Sequence, residues 1–189
     1  MTHSKYSSKT SYLVLCGLFT ALTAVCSYIT IPLPFTPIPM NLGTLAVFLA
    51  GALLGSKYGA ISMAVYALAG IAGIPVFAGF QAGPGVLAGP TGGFIAGYIV
   101  AAFLIGFILE HLPKRTSPPA GRAGELALCM AAMAAGAVLC YCFGTLWFMV
   151  VMKAEFIAAV TMCVVPFIPA DIIKIIAASI LVRRLRQFI

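Results

Sequence analysis

Asp171 and Lys174 are the residues of this chain best placed to do chemistry. They stand three apart in the apolar run VVPFIPADIIKIIAA. That spacing on an α-helix leaves two side chains about 60° apart around the axis, at about 4.5 Å of rise. Both can therefore meet one ligand. An ionisable group inside a membrane segment is costly and marks a functional site by default. Pro166 and Pro169 place the pair in the first turns of a helix, where unpaired N–H groups add donors and a partial positive charge. Acceptor, cation and backbone donors together suit a small polar molecule. The competing reading is an ion pair that only orders a helix bundle.

A second candidate is the segment GIPVFAGFQAGPGVLAGPTGG, residues 73–93, with seven glycines, three prolines and no charge. Glycine lets backbone approach a ligand closely. Phe77 and Phe80 offer apolar faces, and Gln81 offers both donor and acceptor. Gly89 and Thr91 open the next apolar run, where helix N–H groups would point outward. The segment is too apolar for a solvated loop, so it is expected to pack on the mouth of a bundle, re-entrant or lid-like. It is not a phosphate-binding loop, because no GK[ST] follows. An uncharged connecting loop is the plain alternative. Trp147 is expected to wall a pocket, to fill the core or to sit in an aromatic belt. Gly17-x-x-x-Ala21 and Thr20-x-x-x-Ala24 form small-residue stripes that let another helix approach, within the bundle or from a partner.

Other chemistries are disfavoured. His3 and His111 lie outside the apolar runs, and no His pair or Cys/His cluster has metal-ligand spacing. Cys16, Cys26, Cys129, Cys140, Cys142 and Cys163 all lie in apolar runs and read as buried thiols. No Ser–His or paired-carboxylate set can be assembled, and an intramembrane enzyme would need several acids at one depth. The sequence therefore points to no enzyme, no metal and no cofactor.

The elements that position these residues follow from composition. The chain has 189 residues, 62% hydrophobic and 8% charged, against about 25% charged in soluble domains. Four acids and eleven bases could not cover a soluble surface. The net charge of +7 would suit nucleic acid, but its placement argues otherwise. Lys5, Lys9, Lys57, Lys114, Arg115, Arg122, Arg183, Arg184 and Arg186 all fall in alternate gaps between apolar runs. The positive-inside rule puts those gaps on the cytoplasmic side. The expected fold is an all-α integral membrane protein, a single domain over 1–189. Six spans lie near 12–32, 42–56, 58–75, 92–112, 124–150 and 166–186, with both termini inside and a ligand pocket on the outer side. Gly55 to Gly59 is a short inner turn, and Pro32, Pro34, Pro37 and Pro39 make a semi-rigid outer loop. The fifth run breaks near Lys153 and continues as an interfacial helix over 156–164. Lys153 and Glu155 read as a solvated pair. The first span reads as an uncleaved helix rather than a signal peptide.

At these residues the chain closely resembles a known family. TALTAVCSYITIPLPFTPIPMNLGTLAVFLAG, GIPVFAGFQAGPGVLAGPTGGFIAGY and the P-x-D-x-x-K segment are similar to the biotin-specific BioY family, over about residues 12–186. These proteins are the S components, or substrate-binding subunits, of energy-coupling factor (ECF) vitamin transporters. The resemblance implies a multi-pass protein of a prokaryotic plasma membrane. It implies biotin as the captured ligand. The implied partners are membrane lipid, a transmembrane coupling subunit and two cytoplasmic ATPases; some members are reported to work without a dedicated ATPase module. It places Asp171 and Lys174 at the ligand, with Gln81 as the polar contribution of the long loop. Relatives carry a glutamine where this chain has Gly43, and Asn41 is the nearest substitute. The family's docking motif on the first helix maps onto Gly17 and Ala21.

Overall fold

The computed structural model describes residues 9–111 and 122–186. The basic stretch around Lys114 and Arg115 lies outside them, as do Lys5 and His3. Helix α1 runs Lys9–Tyr28 and leads into a two-residue antiparallel ladder, β1 (Thr30–Ile31) with β2 (Met40–Asn41). Apart from this short ladder the described elements are helical, as expected. The prolines between the strands keep the connection extended and fix where the chain returns. Helix α2 is Gly43–Ile71, a short 3₁₀ turn covers Ala78–Phe80, and α3 is Pro84–Ala88. Then come α4 (Gly92–His111), α5 (Arg122–Met152), α6 (Phe156–Cys163) and α7 (Ile168–Leu185).

Helix α2 is not straight. Gly55 adopts φ +80°, ψ −176°, a conformation that L side chains rarely take. Beyond it the chain doubles back: a Cβ on Gly59 would lie 3.1 Å from the carbonyl oxygen of Ala50. In a straight helix those positions are about 13 Å apart. The short turn expected over Gly55 to Gly59 is therefore present as a reversal of the chain at Gly55. Glu110 of α4 fastens it. Its carboxylate accepts the Ser56 backbone N–H at 2.9 Å and the Ser56 hydroxyl at 2.6 Å. An acid on freed N–H groups at a helix start suits the helix dipole. Arg186 approaches the other arm, donating to the Ala52 carbonyl at 3.4 Å. A side chain at Gly106 would overlap the Gly55–Ser56 backbone, so α4 can lie directly on this turn.

Among the described residues, four helices are long and apolar enough to cross a membrane, or five if the pair α6 and α7, bent by 46°, counts as one span. The break before α6 falls at Lys153, which has φ +52°. Lys153 and Glu155 are both exposed, and no ion pair joins them. Helix α4 sits centrally, against α2 on one side and α5 on the other. Its buried side includes Ala101, Ala102 and Ile105, and a Cβ on Gly51 would stand 2.7 Å from the Ala102 carbonyl. Phe48, Met63 and Met133 complete the core. Leu13, Val14, Phe103, Val138 and Val150 are exposed large apolar residues, as a lipid-facing surface requires. Lys57, Arg183, Arg184 and the Gly55 turn share one end of the bundle, here the basic end. The opposite end carries the ladder and the 72–91 loop.

Candidate functional site

A cavity of about 590 Å³ opens at the end opposite the basic one. Pockets for small organic molecules span about 300–1,000 Å³. Its inner wall is a polar cluster around the ion pair. Asp171 and Lys174 are 4% and 6% exposed, so the pair is out of bulk water. Lys174 Nζ donates to Asp171 Oδ1 at 2.7 Å, to the Asn41 carbonyl at 2.7 Å and to Thr44 Oγ1 at 2.9 Å. An ammonium has three donors, and all are engaged. Thr44 in turn donates to Asp171 Oδ1 at 3.0 Å, and Tyr141 donates to Asp171 Oδ2 at 2.5 Å. A buried ion pair is tolerated only when its remaining hydrogen-bonding capacity is met. Here α2, β2, α5 and α7 each contribute to meeting it.

What is left unspent faces a ligand. A carboxylate has about four acceptor positions. Asp171 has used three and keeps one on Oδ2. Asn41 Oδ1 accepts the Gly43 N–H at 2.8 Å and the Tyr98 hydroxyl at 3.4 Å, so its amide N–H groups are free to donate. Tyr66 spends its proton on Ser27 at 3.0 Å and keeps a lone pair. The wall thus offers acceptors and an amide donor within one apolar frame. The glutamine that relatives carry where this chain has Gly43 would meet crowded space here. A Cβ there would sit 2.9 Å from Asn41 Oδ1 and 3.0 Å from the Tyr98 hydroxyl, so Asn41 and Tyr98 occupy its place.

The long loop closes the mouth. Phe77 is buried edge-on to Tyr66, with centroids 5.6 Å apart, and a Cβ on Gly70 would overlap its ring. The Phe77 N–H donates to the Gln81 carbonyl at 3.1 Å, closing a tight turn whose Gln81 side chain is exposed at the rim. Val86, Gly89 and Thr91 continue the wall.

Asp171, Lys174, Asn41, Gln81, Phe77, Gly89 and Thr91 line one cavity. Phe80 does not. Its φ of +60° swings the ring outward, where it stacks on Tyr28 at 4.3 Å. Trp147 does not line the cavity either. It stands behind the loop and donates Nε1–H to the Gly89 carbonyl at 3.0 Å. Thr44, Tyr98 and Tyr141 were missed. The available signal was a phenol within an apolar span, since a buried Tyr hydroxyl needs a partner. On α1, Gly17 and Ala21 lie exposed on one face, and nothing stands within 4 Å of a Cβ placed on Gly17. The neighbouring stripe is internal: Thr20 donates to the Cys16 and Ser62 carbonyls, and Ala24 is buried. Cys16, Cys129, Cys140 and Cys163 are buried as expected; Cys26 is partly exposed and Cys142 is exposed.

Comparison with known proteins gives a consistent answer. A biotin transporter BioY of Thermotoga maritima is 37% identical over 93% of this chain and 95% of its own length. One from Rhodobacter capsulatus is 38% identical, covering 92% of each chain. The crystal structure of an S-component for biotin from an ECF-type ABC transporter superposes with a TM-score of 0.83. It is 31% identical over 99% of this chain and 95% of that one. Apolar helices together with transporter relatives make this a multi-pass membrane protein. The BioY family model matches residues 1–189, and the chain belongs to the BioY family.

Proposed function

We propose that this chain is the biotin-capturing membrane subunit of a vitamin uptake transporter, and that the 590 Å³ cavity is its biotin site. The observation that carries this is the pre-assembled Asp171–Lys174 cluster with unspent acceptors beside a free amide donor. The ureido ring of biotin has two N–H donors and one carbonyl. Asp171 Oδ2 and a tyrosine oxygen accept the N–H groups, and the Asn41 amide donates to the carbonyl. Lys174 holds the carboxylate and the Asn41 backbone in place. Phe77 and Tyr66 cover the thiophane ring, and Gln81 at the rim meets the valerate end. Gly89 and Thr91 form the wall of the lid.

The two arms of α2 count as separate crossings, so the single membrane domain has six. The shared basic end is cytoplasmic by the positive-inside rule, which puts the cavity on the outer face of a prokaryotic plasma membrane. The open Gly17–Ala21 face of α1 receives the coupling subunit, which two cytoplasmic ATPases drive. Equilibrium binding of labelled biotin to the purified chain, with no partner present, tests the reading. Saturable nanomolar binding, about −12 kcal/mol, is expected. No binding by folded protein would overturn it.

A further inference from the structure

The mouth of the cavity differs in kind from its inner wall. The lining residues that are exposed are Pro32 and Pro37, between the strands, and Gly79, Gln81 and Gly85 of the lid. They form the mouth, and none carries a charge. Among the described residues, Lys174 is the only cation that lines the cavity. It lies buried at the inner wall, with its three donors spent on Asp171, Asn41 and Thr44. Lys153, past the end of α5, is exposed and does not line the cavity. At the start of α4, the Gly92, Phe94 and Ile95 N–H groups are already spent on the Gly89 and Thr91 carbonyls. The mouth is also roomy: a Cβ on Gly79 or on Gly85 would meet nothing within 4 Å.

A ligand held by its ureido ring at the inner wall turns its carboxyl tail to this mouth. A carboxylate taken out of water without a counter-charge is costly, so the tail stays hydrated there. A site built around a polar partner rejects the ligand that lacks it, because the site's own group is then left unpaired. Here no protein charge is left unpaired when the ligand's charge goes. We infer that the site takes amides of biotin, in which a neutral carboxamide replaces the carboxylate, as a second class of ligand beside the free acid. The class includes biotin joined to the side-chain amine of lysine, whose extra chain leaves through the open space at Gly79 and Gly85. Gln81 suits either form, since its amide both donates and accepts. The inference rests on the biotin reading of the cavity and adds that the carboxyl end is not read as a charge.

Labelled biotin bound to the purified full chain is displaced with unlabelled biotin, with the primary amide of biotin and with biotinyl-lysine. The primary amide removes the charge alone, and biotinyl-lysine adds the bulk that must pass the mouth. Exposed charge contacts are weak, so both amides are expected to compete within about tenfold of the free acid. A loss of more than about tenfold for either amide overturns the inference and leaves the biotin reading standing. Failure of biotin itself to bind overturns both. Salt gives a second measure, because it screens a charge contact at an exposed mouth. The affinity of free biotin is expected to be the same at low and high ionic strength. A steep weakening with salt would reveal a cation at the carboxylate and overturn the inference.

Discussion

The Tyr141 hydroxyl lies 2.5 Å from Asp171 Oδ2, the carboxylate oxygen that Lys174 does not touch. The two oxygens of Asp171 thus have separate roles. Oδ1 is committed to Lys174 and Thr44, and Oδ2 is aimed by Tyr141 while keeping room for a ligand N–H. Hydrogen bonds to charged groups contribute about 1.5–3 kcal/mol. Tyr141→Phe keeps the ring and loses that bond. Biotin binding is expected to weaken by about tenfold, and the unfolding midpoint to fall by several degrees as the buried carboxylate loses a partner. Unchanged affinity would show that Oδ2 is not a ligand acceptor.

Breaking the ion pair from either side is more severe. Asp171→Asn and Lys174→Ala are each expected to weaken biotin binding by at least tenfold, close to 1.4 kcal/mol or more. Removing one member of a buried pair leaves an uncompensated charge at about 3–5 kcal/mol, whereas replacing both by apolar groups is often neutral. The double variant Asp171→Leu/Lys174→Met should therefore unfold at a higher temperature than Lys174→Ala and still fail to bind. Binding by the double variant would reduce the pair to a packing element.

Local spacing and charge placement carried much of this fold in the sequence. Asp171 and Lys174 meet because three helical positions force them to, whatever surrounds them. The Gly55 turn and the break at Lys153 were legible because charge and glycine interrupt long apolar runs. Long-range partners were not legible. Thr44 and Tyr141 reach Asp171 from 127 and 30 positions away, and nothing in apolar periodicity specifies such a pairing. Phe80 failed for a different reason. Its direction depends on a positive φ, a conformation rare for a bulky residue and invisible in composition. Trp147 lies on the right helix, yet one side of that helix faces the cavity and another faces lipid.

The Gly55 turn should matter for stability and not for binding. Gly55→Ala meets two penalties, an extended positive-φ backbone open essentially to glycine alone, at about 1–3 kcal/mol, and overlap with Glu110 Oε1. Glu110→Ala loses the bonds to Ser56, about 1 kcal/mol as for other helix caps. Thermal unfolding should show both singles destabilised. The double variant should be less destabilised than their sum, because the overlapping carboxylate is gone. Strict additivity would mean that the two residues do not meet. Biotin affinity should be unchanged in all three, because the turn lies at the basic end.

Tyr28 gives the most direct test of the lid. Its hydroxyl donates to the Pro75 carbonyl at 2.7 Å, and its ring stacks on Phe80 at 4.3 Å. One residue at the end of α1 thus staples both sides of the loop segment that holds Phe77 in the cavity. Neither contact touches the cavity itself, so losing them should change how long the lid stays shut rather than what it encloses. Tyr28→Phe removes only the hydrogen bond, about 1 kcal/mol, and should speed biotin release by about fivefold at an unchanged association rate. Phe80→Ala removes only the stacking, about 0.5–1.5 kcal/mol beyond area, and should act in the same direction. Tyr28→Ala removes both and should exceed either. Stopped-flow release of labelled biotin measures all three. A slower association rate with unaltered release would place the staple on the entry path and not on closure.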